Sequence, residues 1–404
     1  MPIIVQKYGG SSLADAEKVR GVARRIIAAK AKGDDIVVVC SAMGDSTDDL
    51  LALSRQVAKT PVEREVDLLL STGEMVSCAL LAMALNDMDC PAVSLTGLQA
   101  GIQTEALHGK ARIADVAPER IQAELGAGKV AVVCGFQGVT EAQEVTTLGR
   151  GGSDTTAVAL AAALKAERCE IYTDVEGIYT ADPRIVPKAR KLAEIGYEEM
   201  LELAVSGAKM QPRSIELGEL YDIPILVAST FSDAPGTLIH REVAMEVRNR
   251  VRGVASDTNV AKVTVLAVPD KPGIAATFFE QLTDAAVSVD TIVQNTSVEK
   301  LSDLSFTVDR TELAKALAVV EPIALKVGAG GVTHDAALAK VSVVGTGMQN
   351  SPGYASTMFR ALADAGVNIE MISTSEIRIT CIVSESQCGD AVRALHKAFE
   401  LDQD

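Results

Sequence analysis

A chain of 404 residues is long enough for two or three domains, and 48% hydrophobic residues without a single Trp leaves the packing to Val, Leu, Ile and Ala. The formal charge of -16 argues against nucleic acid or an anionic membrane surface as the main partner, so any anionic ligand must meet a local cluster of cations. Seven cysteines without CxxC spacing, no signal peptide and no apolar run of membrane-spanning length together imply a soluble, cytoplasmic protein with reduced thiols.

Ile3 to Gln6 reads as a strand, followed by the turn Lys7-Tyr8-Gly9-Gly10-Ser11-Ser12 and a helix over about Ala14 to Lys32. Strand, glycine turn and helix is the form of a phosphate-binding unit. Neither GxxxxGK[ST] nor a helix-opening GxGxxG is present, so a phosphate held here is held in another fold. Ile36 to Cys40 is apolar throughout, as in a parallel strand buried on both faces, and it ends in Ser41-Ala42-Met43-Gly44-Asp45. Ligands of open α/β sheets sit at such carboxyl ends. Ser71 to Glu74 precedes an apolar helix over Met75 to Leu85, which puts Glu74 in its first turn, either as a capping charge or as an acceptor for a substrate ammonium. Pro91 to Leu95 and Val130 to Gly135 are two further strands, with His108 and Lys110 in a solvated polar loop between them.

The densest signal is Thr146 to Ala157, TTLGRGGSDTTA, running into an alanine-rich helix. Gly149, Gly151 and Gly152 allow close backbone approach, Ser153 and Asp154 start the helix, and Arg150 offers a planar fork suited to carboxylate or phosphate. An ordinary capped turn is the competing account. Glu170 to Thr173 is a strand, and the polar passage from Asp174 through Tyr179 to Arg184 could cradle ribose and base or form a plain loop with a turn at Asp182-Pro183. Lys209 and Arg213 lie near Gly207, and Ile223 to Val227 is the last strand before a turn at Asp233 to Thr237. This alternation predicts a mostly parallel sheet sandwiched by helices.

Residues 240–258 read as a charged linker containing Arg248, Arg250 and Arg252. Beyond it the chain repeats: Lys262 to Val265 matches Lys340 to Val343, Pro272-Gly273 matches Pro352-Gly353, and Phe279 and Leu282 recur as Phe359 and Leu362. Each copy predicts a split βαββαβ unit. The second copy has too few residues for a closing strand, and Gly331 to His334 is the expected donor, so the two units should intertwine.

Lys7 to Ser12, GRGGSDTTA, Thr173 to Arg184 and the paired repeats together resemble the bacterial aspartate kinases, amino-acid kinases with two C-terminal ACT domains. The resemblance spans nearly the whole chain. It implies a kinase domain over 1–239, linker 240–258, and ACT domains over 259–332 and 333–404 with a ferredoxin-like fold. It further implies phosphorylation of the L-aspartate side-chain carboxylate by ATP with Mg2+, on the route to lysine, threonine and methionine.

Carried over by motif, Lys7, Asp154 and Lys209 are the implied catalytic residues. Gly9, Gly10, Ser41, Thr173, Asp174, Tyr179 and Arg184 fall on the nucleotide side, and Ser41, Thr47, Glu74, Arg150, Gly151, Gly152 and Ser153 on the substrate side. No metal is held by protein ligands alone. Lysine, threonine or both together are the implied inhibitors, contacting Asp270, Gly273, Ala275 and Gln294 in the first copy and Asn368, Ile369, Ser375 and Glu376 in the second. ACT pairing implies a homo-oligomer, or an α2β2 assembly with a short subunit starting near Met245. A glutamate-type kinase and a non-catalytic amino-acid sensor are the alternatives.

Overall fold

The computed structural model of the protein describes residues 1–241, 251–296, 301–348 and 352–403. Met245, Arg248 and Arg250 lie outside the described residues. The chain divides into two compact units, the first built from residues 1–179, 191–205 and the stretch from Lys209 through the last strand before the boundary. The second takes residues 180–190, 206–208 and the C-terminal part.

The first unit runs β1 (Ile3–Tyr8), α1 (Ala16–Lys30), β2 (Asp35–Cys40), α2 (Ser46–Val57), α3 (Glu63–Asp87), β3 (Ala92–Leu95), β4 (Ile102–Thr104), β5 (Ile113–Val116) and α4 (Glu119–Gly126). It continues with β6 (Val130–Cys134), β7 (Gln137–Val139), β8 (Val145–Thr147), α5 (Gly152–Leu164), β9 (Arg168–Thr173), β10 (Glu194–Gly196), α6 (Tyr197–Val205), α7 (Pro212–Tyr221), β11 (Ile225–Ser229) and β12 (Thr237–His240). The main sheet has the order β10-β12-β11-β9-β1-β2-β6-β3 and is parallel except where β11 meets β12. Its central strands are apolar because both faces are covered. Ile4, Ile36, Val38, Val130 and Val132 pack with Val19, Val22 and Ile26 of α1 and Cys78 and Leu81 of α3. The alternate positions Val5, Val37, Val39, Ala131 and Val133 are equally buried, and α5 packs on β1.

Helix α1 starts where Asp15 accepts the Lys18 amide at 2.8 Å. Helix α3 departs from the sequence reading. It is continuous from Glu63, so Glu74 lies in mid-helix rather than in a first turn. Gly73 is no breaker there: a Cβ would lie 2.8 Å from Ala42 Cβ, so the glycine lets the helix press against the loop after β2. This helix is also long and apolar enough to cross a membrane by composition, contrary to expectation, but half of that stretch is buried within the protein. A second sheet, β5-β4-β7-β8, was not anticipated; its strands are too short to show a period.

The second unit runs β13 (Gly253–Pro269), α8 (Ile274–Asp284), β14 (Val289–Thr296), β15 (Leu301–Asp309), α9 (Leu313–Val327), β16 (Gly331–Val344), α10 (Tyr354–Asp364), β17 (Met371–Thr374), β18 (Arg378–Ser384) and α11 (Cys388–Ala398). Its strands form one sheet, β14-β15-β13-β16-β18-β17. Each repeat has its own core: Val263, Val265, Phe278, Leu282 and Phe306 in the first, and Val341, Val343, Met358, Leu362 and Cys381 in the second.

Within the second unit the two repeats intertwine, but not through the expected strand. Gly331 to His334 pairs with Val263 to Leu266 and closes the first repeat. The second repeat is closed by Gly253 to Asp257, which pairs with Lys340 to Val344 and contributes Val254 to that core. This donor lies inside the stretch read as linker, where small and polar residues hid a strand. Residues 180–190 join the same core through Ala181 and Val186, and Thr180 Oγ1 lies 2.9 Å from Nε2 of the buried His396.

Candidate active site

The carboxyl ends of β9, β1, β2 and β6 meet at one edge of the main sheet, and most kinase-side candidates gather there. Lys7 is the penultimate residue of β1, paired in register with Val39 and Ile171. Its ammonium lies 2.6 Å from Asp154 Oδ1 in the first turn of α5, with the two side chains only 12% and 11% exposed. A side chain at Gly9 would come 3.7 Å from Lys7 Nζ. At Gly10 a Cβ would stand 2.8 Å from the carbonyls of Ala42 and Gly44, and the Gly44 amide donates to Gly10 O at 3.0 Å. The two loops therefore interlock through backbone, and Ser41 anchors the second by accepting from Ser77 at its carbonyl.

Glu74 faces this loop. It is 2% exposed, and its Oε1 accepts the Ala42 amide at 3.1 Å. Its Oε2 is buried and has no hydrogen-bond partner. Burial raises its pKa to about 7, against the two backbone hydrogen bonds that lower it. A buried carboxylate oxygen without a donor is costly, and a ligand ammonium would satisfy it.

Gly151 has the positive φ that opens α5, and Gly152 and Ser153 are buried behind it. Arg150 extends into solvent, 89% exposed, and pairs with Asp48 at 3.0 Å, beside half-buried Thr47 at the start of α2. Its carbonyl accepts from Gln211 Nε2.

At the end of β9, the Thr173 hydroxyl donates to Asp174 at 3.0 Å, and Lys209 Nζ lies 3.3 Å from the same carboxylate. Burial raises the Asp174 pKa, but Thr173 and Lys209 outweigh it and leave the group below its usual value. Tyr179 is half-buried and bridges to Lys191. Arg184 belongs to the second unit, where its guanidinium forks onto Asp182. The Ile185 amide returns to Asp182 O at 2.9 Å, the turn expected at Asp182-Pro183.

Two residues escaped the sequence reading. His108 is not simply solvated: its Nδ1 lies 2.9 Å from Asp67 Oδ2. Asp67 is wholly buried on α3, seven residues before Glu74. Two acids at that spacing inside an apolar run share one helix face, a signal available in the sequence.

On the regulatory side, Asp270, Gly273, Gln294, Asn368, Ser375 and Glu376 are exposed, and Ala275 and Ile369 are partly buried. Gly273 caps α8 with φ of 90° and open space around it, so it serves backbone conformation rather than close approach.

The amino acid kinase family model matches residues 2–229, and the ACT domain model matches 265–322 and 341–399. The aspartokinase of Corynebacterium glutamicum is 50% identical over 407 residues, spanning 99% of this chain and 97% of that one. The chain belongs to the aspartokinases. As a member it is an ATP-dependent phosphotransferase. E. coli aspartokinase III in complex with aspartate and ADP, in its R-state, superposes with a TM-score of 0.82 at 25% identity, covering 98% of this chain and 100% of that one. The same enzyme with lysine and aspartate, in its T-state, gives 0.75 at 26% identity, covering 98% and 99%.

Proposed function

We propose that this aspartokinase-family chain transfers the γ-phosphoryl group of ATP to the side-chain carboxylate of L-aspartate, giving 4-phospho-L-aspartate for lysine, threonine and methionine synthesis. The observation that carries the reading is Glu74, a buried carboxylate with one oxygen unpartnered at the edge where Lys7 and the glycine loops converge. That oxygen suits an α-ammonium, and exposed Arg150 suits an α-carboxylate. An aspartate side chain, with a pKa of roughly 3.9, needs no general base at neutral pH. The barrier is the approach of two anions, so positioning and electrostatics supply catalysis.

Lys7, held by Asp154, would meet the transferring phosphoryl group, with Gly9, Gly10 and Ser41 along its path. Thr173, Asp174, Tyr179 and Lys209 would border the nucleotide. Magnesium would neutralise phosphate charge.

Lysine or threonine would act through the ACT repeats, by analogy with the lysine complex of aspartokinase III. The chain would work in the cytoplasm as an oligomer paired through its ACT repeats. Trapping the acyl phosphate with hydroxylamine tests this. Product from ATP with aspartate, little with glutamate, and a fall on adding lysine plus threonine is the expected pattern. Preference for glutamate would make it a glutamate-type kinase, and no product with either would make it a sensor.

A further inference from the structure

A buried carboxylate normally needs a reason, because an apolar side chain on the same helix face would avoid its desolvation. Asp67 of α3 gathers its partners from two separate segments. Its Oδ1 accepts the Thr147 hydroxyl at 2.5 Å, its two oxygens share the Gly109 amide at 3.1 and 3.0 Å, and its Oδ2 lies 2.9 Å from His108 Nδ1. His108 is thereby oriented as a donor, with its Nε2 3.7 Å from Glu144 Oε2.

These partners flank the loop that presents Arg150. Thr147 ends β8, and its carbonyl accepts the Ala111 amide at 2.9 Å. Arg213 clamps the same junction, donating to Leu148 O and Ala111 O at 3.0 Å each. Gly149 follows with φ of 81°, and a Cβ there would lie 3.3 Å from Gly109 O. The segment 108–111 therefore supports residues 147–149 directly. On the far side of Arg150, α5 is fixed by the Asp154–Lys7 pair. The loop is held at both ends while the Arg150 side chain itself stays in solvent.

We propose that Asp67, with His108 as its donor, is a positioning device for the loop 148–152, setting where Arg150 presents its guanidinium to the α-carboxylate of the amino-acid substrate. The inference rests on the reading of Arg150 as the substrate-carboxylate cation. Neither residue touches substrate, so their loss acts on ground-state capture rather than on phosphoryl transfer.

The test is steady-state kinetics on the full chain for Asp67→Asn, His108→Ala, His108→Asn, Arg150→Ala and the double variant His108→Ala/Arg150→Ala, each with its thermal midpoint. Asp67→Asn and His108→Ala should each raise KM for aspartate about tenfold, with kcat and KM for ATP nearly unmoved. His108→Asn should recover most of that, since its amide can donate where Nδ1 did. In the Arg150→Ala background, His108→Ala should add nothing further.

If His108→Ala lowers the thermal midpoint and leaves KM for aspartate at the parent value, the cluster is structural only and the proposal falls. A full additional rise in the double variant also overturns it, because the cluster would then act on some other group. An Arg150→Ala variant with unchanged KM for aspartate would remove the reading beneath it, a result separable from failure of the His108 variants alone. Should Asp67→Asn not fold, the two His108 variants decide the matter, because that ring lies at the edge of the cluster.

Discussion

In the kinase unit several candidate residues are held by burial or by protein partners. Lys7 is paired with Asp154 at 2.6 Å, Glu74 is 2% exposed, and Lys209 and Thr173 both hold Asp174. In the ACT unit the candidate effector contacts Asp270, Gly273, Gln294, Asn368, Ser375 and Glu376 lie exposed, while the two cores behind them are fully packed. A phosphoryl-transfer site must fix charge in advance, because rearranging dipoles during the reaction would cost the stabilisation they provide. An effector site can be completed by the effector, since only its differential binding matters. Substitutions on the kinase side should therefore strike turnover and substrate capture, and those on the effector loops should shift only a dose response.

The largest expected effect is from Lys7→Ala, which should lower kcat about 10³-fold with a far smaller change in KM for aspartate. A variant altered only in KM for ATP would take Lys7 out of the catalytic role. Next is Val254→Asp, which buries an unpaired charge in the second ACT core and should cost about 3 kcal/mol in chemical denaturation. Stability equal to the parent would mean that Gly253 to Asp257 does not close that repeat in solution.

Glu74 comes third, and its sign can be worked out. Its folded pKa of about 7 lies above the 4.5 of the free side chain, so the stability it contributes is full below pH 4.5 and is lost as pH rises to about 7. The loss is on the order of 3 kcal/mol at most. Glu74→Gln should flatten that drop in the free protein and raise KM for aspartate at pH 8. In the parent, KM for aspartate should rise as pH falls through about 7, as the carboxylate protonates. A KM flat across that range would deny Glu74 the ammonium. Smallest is Gln294→Ala, expected to raise the half-inhibiting concentration of lysine or threonine about tenfold. Inhibition curves that superpose on the parent's would remove Gln294 from the effector site.

What could be read from the sequence follows the same division. Strands β2 and β6 were legible because burial on both faces makes them almost continuously apolar, β1 and β9 from shorter apolar runs beside Gln6, Lys7 and Glu170, and the Pro-Gly repeats announced two βαββαβ units. Helix α3 was misread because Gly73 looks like a boundary, whereas it answers a close approach by Ala42 that only the fold reveals. The four short strands β4, β5, β7 and β8 carry too few residues for periodicity, and with them went the Asp67–His108 cluster, whose partners lie far apart along the chain. The loop motif identifies Arg150 and Asp154 by type, but not the pairing of Asp154 with Lys7, because the two lie far apart along the chain.

The strand Gly253 to Asp257 has a consequence for how the protein is made. It opens the regulatory unit yet pairs with Lys340 to Val344, so the first repeat is nested inside the second. During synthesis the inner repeat can complete its sheet while the outer strand still waits for its neighbour to emerge. The outer repeat is finished only when α11, close to the C-terminus, has arrived. Pairing between strands so far apart in sequence carries a larger loop-closure cost than the local pairing inside the inner repeat, and such topologies fold more slowly.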